Sequence, residues 1–290
     1  MIASDDNPTP NARDVRRRFD RAAASFDDAD FVHSVTRAGL LERLEPVVVD
    51  AQTVVDLGCA TGAATRPLAR RFRRAHIVSV DAAGAMLSHA RRRRPWFARH
   101  SLVQADAAAL PFADHSIDVV FANLLLPWIA DPGAVFAEVA RVLRAEGLFA
   151  FATLGPDSLD ELRQAWRRVD AGAHVFRFPD MHDVGDAAVR AGLRDPVLDV
   201  DRLSVSYRNS EQLLRDLTAS GARNSLGQRT RSVVSPSRFR EMLAHLEALR
   251  REGLLVFDLE LVYGHCWGAG RRATHGEVRI DASRLGRRRN

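Results

Sequence analysis

The sequence predicts an α/β fold: a parallel, doubly wound, Rossmann-like sheet that ends in late antiparallel strands, with a helical lid inserted among them. Three observations lead to that class. Between Thr53 and Leu154, five short apolar, β-branched segments alternate with helical patterns of ordinary length, as βαβ crossovers require. The first segment runs into an acidic, glycine-bearing turn, DLGCATG, and then into a helix. After Leu154 the alternation lapses, and helices separate the later strand signals.

In chain order, residues 1–13 carry acidic groups and prolines without the basic start and apolar run of a signal peptide, and are expected to form a disordered tail. A helical segment, 14–50, follows. Its apolar residues fall at Val15, Phe19, Ala22, Ala23 and Phe26, then at Val32, Val35, Leu40, Leu41 and Leu44. Lying before the first strand, it is placed to cross the open end of the sheet. The core, 51–154, consists of strand TVVDLG and helix ATRPLARRF, strand HIVSVD and helix GAMLSHARRRR, strand SLVQAD, strand IDVVFAN and helix PGAVFAEVARVL, and strand GLFAFATL. The half from 155 to 268 reads as helices at 158–169 and 183–191, strands VLDV and LSVSY, helices at 211–219 and 237–251, and a long final strand in LLVFDLELVYGHCWG. Residues 269–290 are expected to be an arginine-rich flexible tail.

A chain of 290 residues suits one large domain with an elaboration. Its 46% hydrophobic and 27% charged residues are those of an ordinary globular protein. No apolar run approaches the ~18–20 residues that span a bilayer, so no membrane association is expected. Cys59 and Cys266 are the only cysteines, too few for a disulfide framework or a metal cluster, and a cytoplasmic location is the default expectation. The net charge of +5 is carried by arginine alone, since there is no lysine. The clusters Arg16 to Arg18, Arg91 to Arg94 and Arg287 to Arg289 mostly lack the interleaved aromatics that nucleic acid binding calls for. They read as solvated faces, and no nucleic-acid partner is expected.

The motif richest in chemistry is Asp56-Leu57-Gly58-Cys59-Ala60-Thr61-Gly62. Its glycines allow close backbone approach to a ligand. A dinucleotide loop has G-x-G-x-x-G spacing and cradles a pyrophosphate at a helix N-terminus, whereas this loop is G-x-x-x-G and opens with a carboxylate that would repel one. A ligand with an ammonium group and no phosphate suits it, as S-adenosylmethionine does. Nineteen residues past Gly62, Asp81 ends the second strand, where a carboxylate accepts both hydroxyls of a ribose. Asp106 closes the third strand at the height of an adenine amino group, and Asn123 closes the fourth beside the expected methyl donor. Any one of these alone would read as a turn or cap residue; four successive strand ends argue for a site. The candidate cofactor-binding set is Phe26, Asp56, Gly58, Cys59, Ala60, Gly62, Asp81, Ala82, Met86, Asp106, Ala107 and Asn123, with no metal ligands.

The residues DLGCATG, SVD, QADAAALPF and FANLLLPWI resemble the class I methyltransferases closely. The likeness extends further. The opening FDRAAASFDDADFVHSV, the stretch LLLPWIADPGAVFAEVARVLRAEGLFAFATLGPDSLDELRQAW, the segment HVFRFPDMHDVGDAAVRAGLRDPVLDVDRL and the end LVYGHCWG together resemble the BioC family, from about Arg16 to Gly268. That resemblance implies methyl transfer to the free carboxylate of malonyl carried on acyl carrier protein, at the start of pimelate assembly for biotin. Two positions depart from the family pattern: Pro127 stands before Trp128 where glutamine is usual, and Phe26 where tyrosine is common.

A malonyl carboxylate is already ionised at neutral pH, so such a reaction needs alignment and exclusion of water rather than a general base. Arg177 and His182 are the expected holders of that carboxylate; the bland alternatives are a surface ion pair and a helix-entry hydrogen bond. Trp128, Trp166, Tyr207, Tyr263 and Trp267 either line a channel for the phosphopantetheine arm or belong to the core. Arg223, Arg229 and Arg231 would suit docking of an acidic carrier. Three other functions compete, one of them methyl transfer to another small molecule. The mitochondrial complex I assembly factors share much of the cofactor half but resemble a protein arginine hydroxylase; the FDRAAASF opening favours the methyltransferase. A scaffold without turnover would have no need of intact cofactor residues.

Overall fold

The computed structural model describes residues 9–97, 99–222 and 235–269. A seven-stranded sheet in the order β3-β2-β1-β4-β5-β7-β6 forms its centre. Strands β1 (Thr53–Leu57), β2 (His76–Asp81), β3 (His100–Gln104), β4 (Ile117–Asn123) and β5 (Leu143–Leu154) are parallel. The late strands β6 (Arg194–Tyr207) and β7 (Leu255–Trp267) are antiparallel, β7 to both β5 and β6. The order reverses beside β1, the switch point at which such sheets open a crevice beyond their carboxyl ends.

The central strands β1, β2 and β4 are buried on both faces, which is why their sequences read as nearly continuous apolar runs. One core layer gathers Val55, Leu57, Val80, Val120, Phe149 and Phe151 under α5 (Pro132–Val142) and α7 (Met181–Arg190). The other gathers Val54, Ile77, Val119, Phe121, Leu148 and Ala150 under α2 (Phe31–Arg43) and α3 (Thr65–Arg71). Asp118 is buried among them and accepts from the Gln52 and Thr53 amides, at 2.9 and 2.8 Å, and from Arg144.

The N-terminal segment is two helices, α1 (Ala12–Ala22) and α2, broken by a 3₁₀ turn at Phe26–Ala29 that bends the chain over the sheet end. Continuity differs from the expectation in the later half, where the two strand signals VLDV and LSVSY prove to be one strand, β6. Its polar middle, Asp199-Val200-Asp201-Arg202, looked like a break, but β6 is an edge strand whose charges face solvent and Arg43, which grips Asp199 at 2.7 Å.

Register locates the lid. β5 pairs only with Leu261–Trp267 of β7, whereas β6 pairs with β7 back to Leu255, so the β6–β7 ribbon runs on past the carboxyl end of β5. A separate small core forms on that projection. In it Trp166 of α6 (Asp160–Arg167), Leu213 of α8 (Ser210–Ala219) and Met242 and Leu246 of α9 (Pro236–Glu247) pack against Tyr207, Leu255 and Phe257. Trp166, Tyr207 and Tyr263 are therefore core residues, not channel walls. Arg223, Arg229 and Arg231 lie outside the described residues. Among the described residues no helix is long and apolar enough to cross a membrane.

Candidate active site

The turn after β1 is held in the shape that its glycines permit. Gly58 and Gly62 lie at φ +72° and +78°, where a side chain is strained, and a Cβ on either would approach Leu125 or Ala90 to 3.0 Å. The Gly58 and Cys59 amides donate to the Val80 carbonyl, at 2.8 and 3.0 Å, which fastens the turn to the end of β2. Asp81 completes the arrangement: its Oδ2 accepts from the Ala60 amide and its Oδ1 from the Ala83 amide, both at 2.8 Å. Each oxygen keeps a further lone pair for a diol. Burial raises the Asp81 carboxyl above its usual range, against the pull of these amides.

Asp56 is 2% exposed, and its Oδ2 is buried without a hydrogen-bond partner. Burial, and then the neighbouring Asp81 charge, push its carboxyl up to about 7, while Arg37 pulls the other way. A buried carboxylate left in this condition is what an incoming ammonium group would satisfy. Asn123, at the end of β4, donates through Nδ2 to the His33 carbonyl at 3.0 Å and leaves its Oδ1 buried and unpaired. Asp106 is exposed and its Oδ1 accepts from the Ala108 amide at 2.9 Å in a tight turn that sets Ala107, 7% exposed, against the core. Ala82 is exposed, and its carbonyl accepts from Gln104. Cys59 is buried and burial raises its thiol well above the ordinary value, so it is a packing residue of the turn rather than a nucleophile.

The N-terminal segment supplies the roof. Phe26 packs with Met86, Ala83, Ala22 and Ala23 in one buried cluster. Polar ties fix it from three sides: Asp20 accepts from the Ala85 amide, Thr61 donates to Asp27 at 2.6 Å, and Arg93 pairs with Asp27. Beneath it, Asp30 pairs with Arg37 at 3.0 Å, and the Asp30 Oδ1 and His33 Nδ1 are buried and unpaired. Burial lowers His33 to about 4, so its ring is neutral at physiological pH. Asp20, Asp27, Asp30, His33, Arg37 and Thr61 were not expected at the site. The one sequence signal was the density of aspartates in an otherwise arginine-rich segment.

On the acceptor side, Trp128 meets Phe19 edge-on at 5.1 Å and Phe176 at 5.8 Å. Pro127 is the second residue of the 3₁₀ turn Leu126–Trp128, inside the first turn where the missing N–H of proline gives up no helical hydrogen bond. Arg177 is exposed between buried Phe176 and Phe178. His182 does not join it over a ligand: its side chain is 79% exposed and its Nδ1 is bound at 2.6 Å to Asp180, which also caps α7. The helix-entry alternative thus accounts for His182.

Comparison with known proteins agrees with this geometry. Residues 55–151 match the family model described as "Methyltransferase domain". The "Malonyl-[acyl-carrier protein] O-methyltransferase" of Halorhodospira halophila is 45% identical over 96% of this chain and 96% of its own. The protein of the same name from Methylovorus sp. is 42% identical over 87% and 88% of the two chains. Among solved structures, the YcgJ protein of Bacillus subtilis superposes with a TM-score of 0.57 at 15% identity, over 82% of this chain and all of its own, a likeness of fold. Identity this high from end to end, lid included, shows that the chain belongs to the malonyl-[acyl-carrier protein] O-methyltransferase family.

Proposed function

We propose that this protein transfers the methyl group of S-adenosylmethionine to the free carboxylate of a malonyl thioester borne by acyl carrier protein, in the cytoplasm. The observation that carries the reading is the 45% identity to a protein of that name across 96% of both chains, because the acceptor half is included as well as the cofactor half. The geometry supports the cofactor. When bound, it supplies an electrophilic methyl on a sulfonium. Asp56 would take its ammonium group, Asp81 the ribose hydroxyls and the Asp106–Ala107 turn the adenine edge. Gly58, Ala60 and Gly62 would let it approach the turn. Phe26 and Met86 would cover it, and Asn123 would stand at the reacting end.

An ionised carboxylate needs no proton removed before it attacks. The neutral His33 ring and the Asp30–Arg37 pair therefore shape and dry the site rather than move protons. Arg177 is the exposed cation on the segment that packs against Trp128, and we assign it the acceptor carboxylate. Neither the relatives nor the site favours arginine hydroxylation. Incubation with S-adenosylmethionine and malonyl-acyl carrier protein should add one methyl to the carrier by intact mass, removable by mild base. Cofactor binding without transfer to this acceptor would refute the assignment.

A further inference from the structure

On the outer side of the roof lies a cavity of about 460 Å³ that the cofactor site does not use. Arg17, Arg18 and Arg21 of α1 line one side, and Thr218 and Gly221 at the end of α8 line the other, with Ser25 between them. Three guanidiniums face it against one carboxylate, Asp14, at the start of α1. Arg17 and Arg21 are exposed, and neither has an ion-pair partner among the described residues. Two exposed guanidiniums on one groove, Arg17 and Arg21, with no ion-pair partner among the described residues, present a site for an anion.

The groove is built where two separately tethered elements meet. Ser25 Oγ donates to the carbonyls of Ala22 and Ala219, each at 3.3 Å, and so joins the end of α1 to the end of α8. Gly221 lies so close to α1 that a Cβ there would come within 3.1 Å of Phe19. The same helix faces inward. Ala22 lines the groove and also packs with Phe26 and Met86, while Phe19 touches Trp128 at the acceptor side. Only the thickness of a helix, about 10 Å, separates groove from reaction site.

We infer that the Arg17–Arg21 groove binds the phosphodiester of a phosphopantetheine arm, anchoring the outer end of an acceptor whose thioester reaches past Phe19 and Trp128. This rests on the proposed acceptor class. Guanidinium is suited to a phosphate because its parallel N–H groups meet two oxygens at once, and two unpaired copies one turn apart on α1 form such a fork. The arm is extended, so a phosphate held here leaves its malonyl end free to enter beneath the roof.

The test compares three acceptors, malonyl-carrier, malonyl-phosphopantetheine and malonyl-pantetheine, on the wild type and on the double variant Arg17→Glu/Arg21→Glu, with S-adenosylmethionine affinity as the check on folding. The wild type should show a KM for malonyl-phosphopantetheine about tenfold or more below that for malonyl-pantetheine, the scale of one charge-assisted hydrogen bond. The double variant should erase that difference, raise KM for the carrier, and leave malonyl-pantetheine and cofactor affinity unchanged. Equal KM values for the two free arms in the wild type would overturn the inference. So would a loss confined to the carrier, since that outcome makes the ligand the carrier's own carboxylates. If the wild type methylates none of the three, the proposed function falls and the groove is judged by binding alone. Saturable shifts of α1 amide resonances by phosphopantetheine, absent with pantetheine and in the double variant, would sustain it; their absence would refute it.

Discussion

Asp56 should make cofactor affinity depend on pH in a way that can be worked out in advance. Its folded-state value of about 7 lies above the usual carboxyl value of 3.8, so in the ligand-free protein it is largely protonated below neutrality. If only the ionised form accepts the cofactor's ammonium, the apparent Kd scales as one plus the ratio of protonated to ionised Asp56. Between pH 5.5 and 7 that factor falls from about 33 to about 2, so the Kd should tighten roughly fifteenfold. His33 and His100 are lowered to about 4 and do not titrate in this window. The cofactor's α-amino group titrates near ~8, above it.

Calorimetric titrations in two buffers of different ionisation enthalpy would read both the Kd and the proton released, about one at pH 5.5 and about half at pH 7. Asp56→Asn separates this carboxyl from Asp81, and should bind weakly with no such slope. A Kd that is flat from pH 5.5 to 7 in the wild type, or a slope that survives in the variant, would refute the role of Asp56. The same shift carries a stability consequence. The folded chain keeps a proton that the unfolded chain gives up between about pH 4 and 7, so the ligand-free protein loses stability as pH rises through that range. The loss is about 4 kcal/mol for this group. Asp56→Asn, which sacrifices no hydrogen bond made by the unpaired Oδ2, should therefore be more stable than the wild type at pH 7 without cofactor.

Further outcomes follow from other residues. Gly62→Ala, at φ +78° with Ala90 3.0 Å from the new Cβ, should cost about 2 kcal/mol in urea unfolding and weaken cofactor binding. Asp118→Ala strands the Gln52 and Thr53 amides at the start of β1 and should cost about 3 kcal/mol, with little effect on acceptor KM in the enzyme that folds. Arg177→Ala should raise the KM for malonyl-carrier several-fold while the cofactor Kd stays put; an unchanged acceptor KM would remove it from the site. Burial pushes both thiols up, Cys266 to about 12, so alkylating reagents at pH 8 should label neither cysteine until the protein is denatured.

What the sequence determined alone is the part of the molecule whose physics is local in the chain. The β-branched runs before Asp56, Asp81 and Asn123, the amphipathic helices between them and the glycines at 58 and 62 are each specified within a few residues. Their regular alternation sufficed to place four polar residues at the ends of successive strands. The roof was decided only in three dimensions. Nothing local says that Phe26 will bury against Met86, that Asp27 will reach Thr61 and Arg93, or that Asp30, His33 and Arg37 will lie under the chain's opening turn. The Asp27 contacts to Thr61 and Arg93 join residues 34 and 66 positions apart through a bend that no periodicity announces.

Edge and lid were hidden for a related reason. β6 looked like two pieces because an edge strand keeps charges that solvent and Arg43 satisfy, and His182 looked available because its partner, Asp180, looks from the sequence like an ordinary helix-entry residue. The arginines of α1 read as a solvated face until α8 folded back beside them and made a groove of that face. Local pattern fixes which side of an element is apolar; which polar side will meet another element is settled only by the packing of the whole chain.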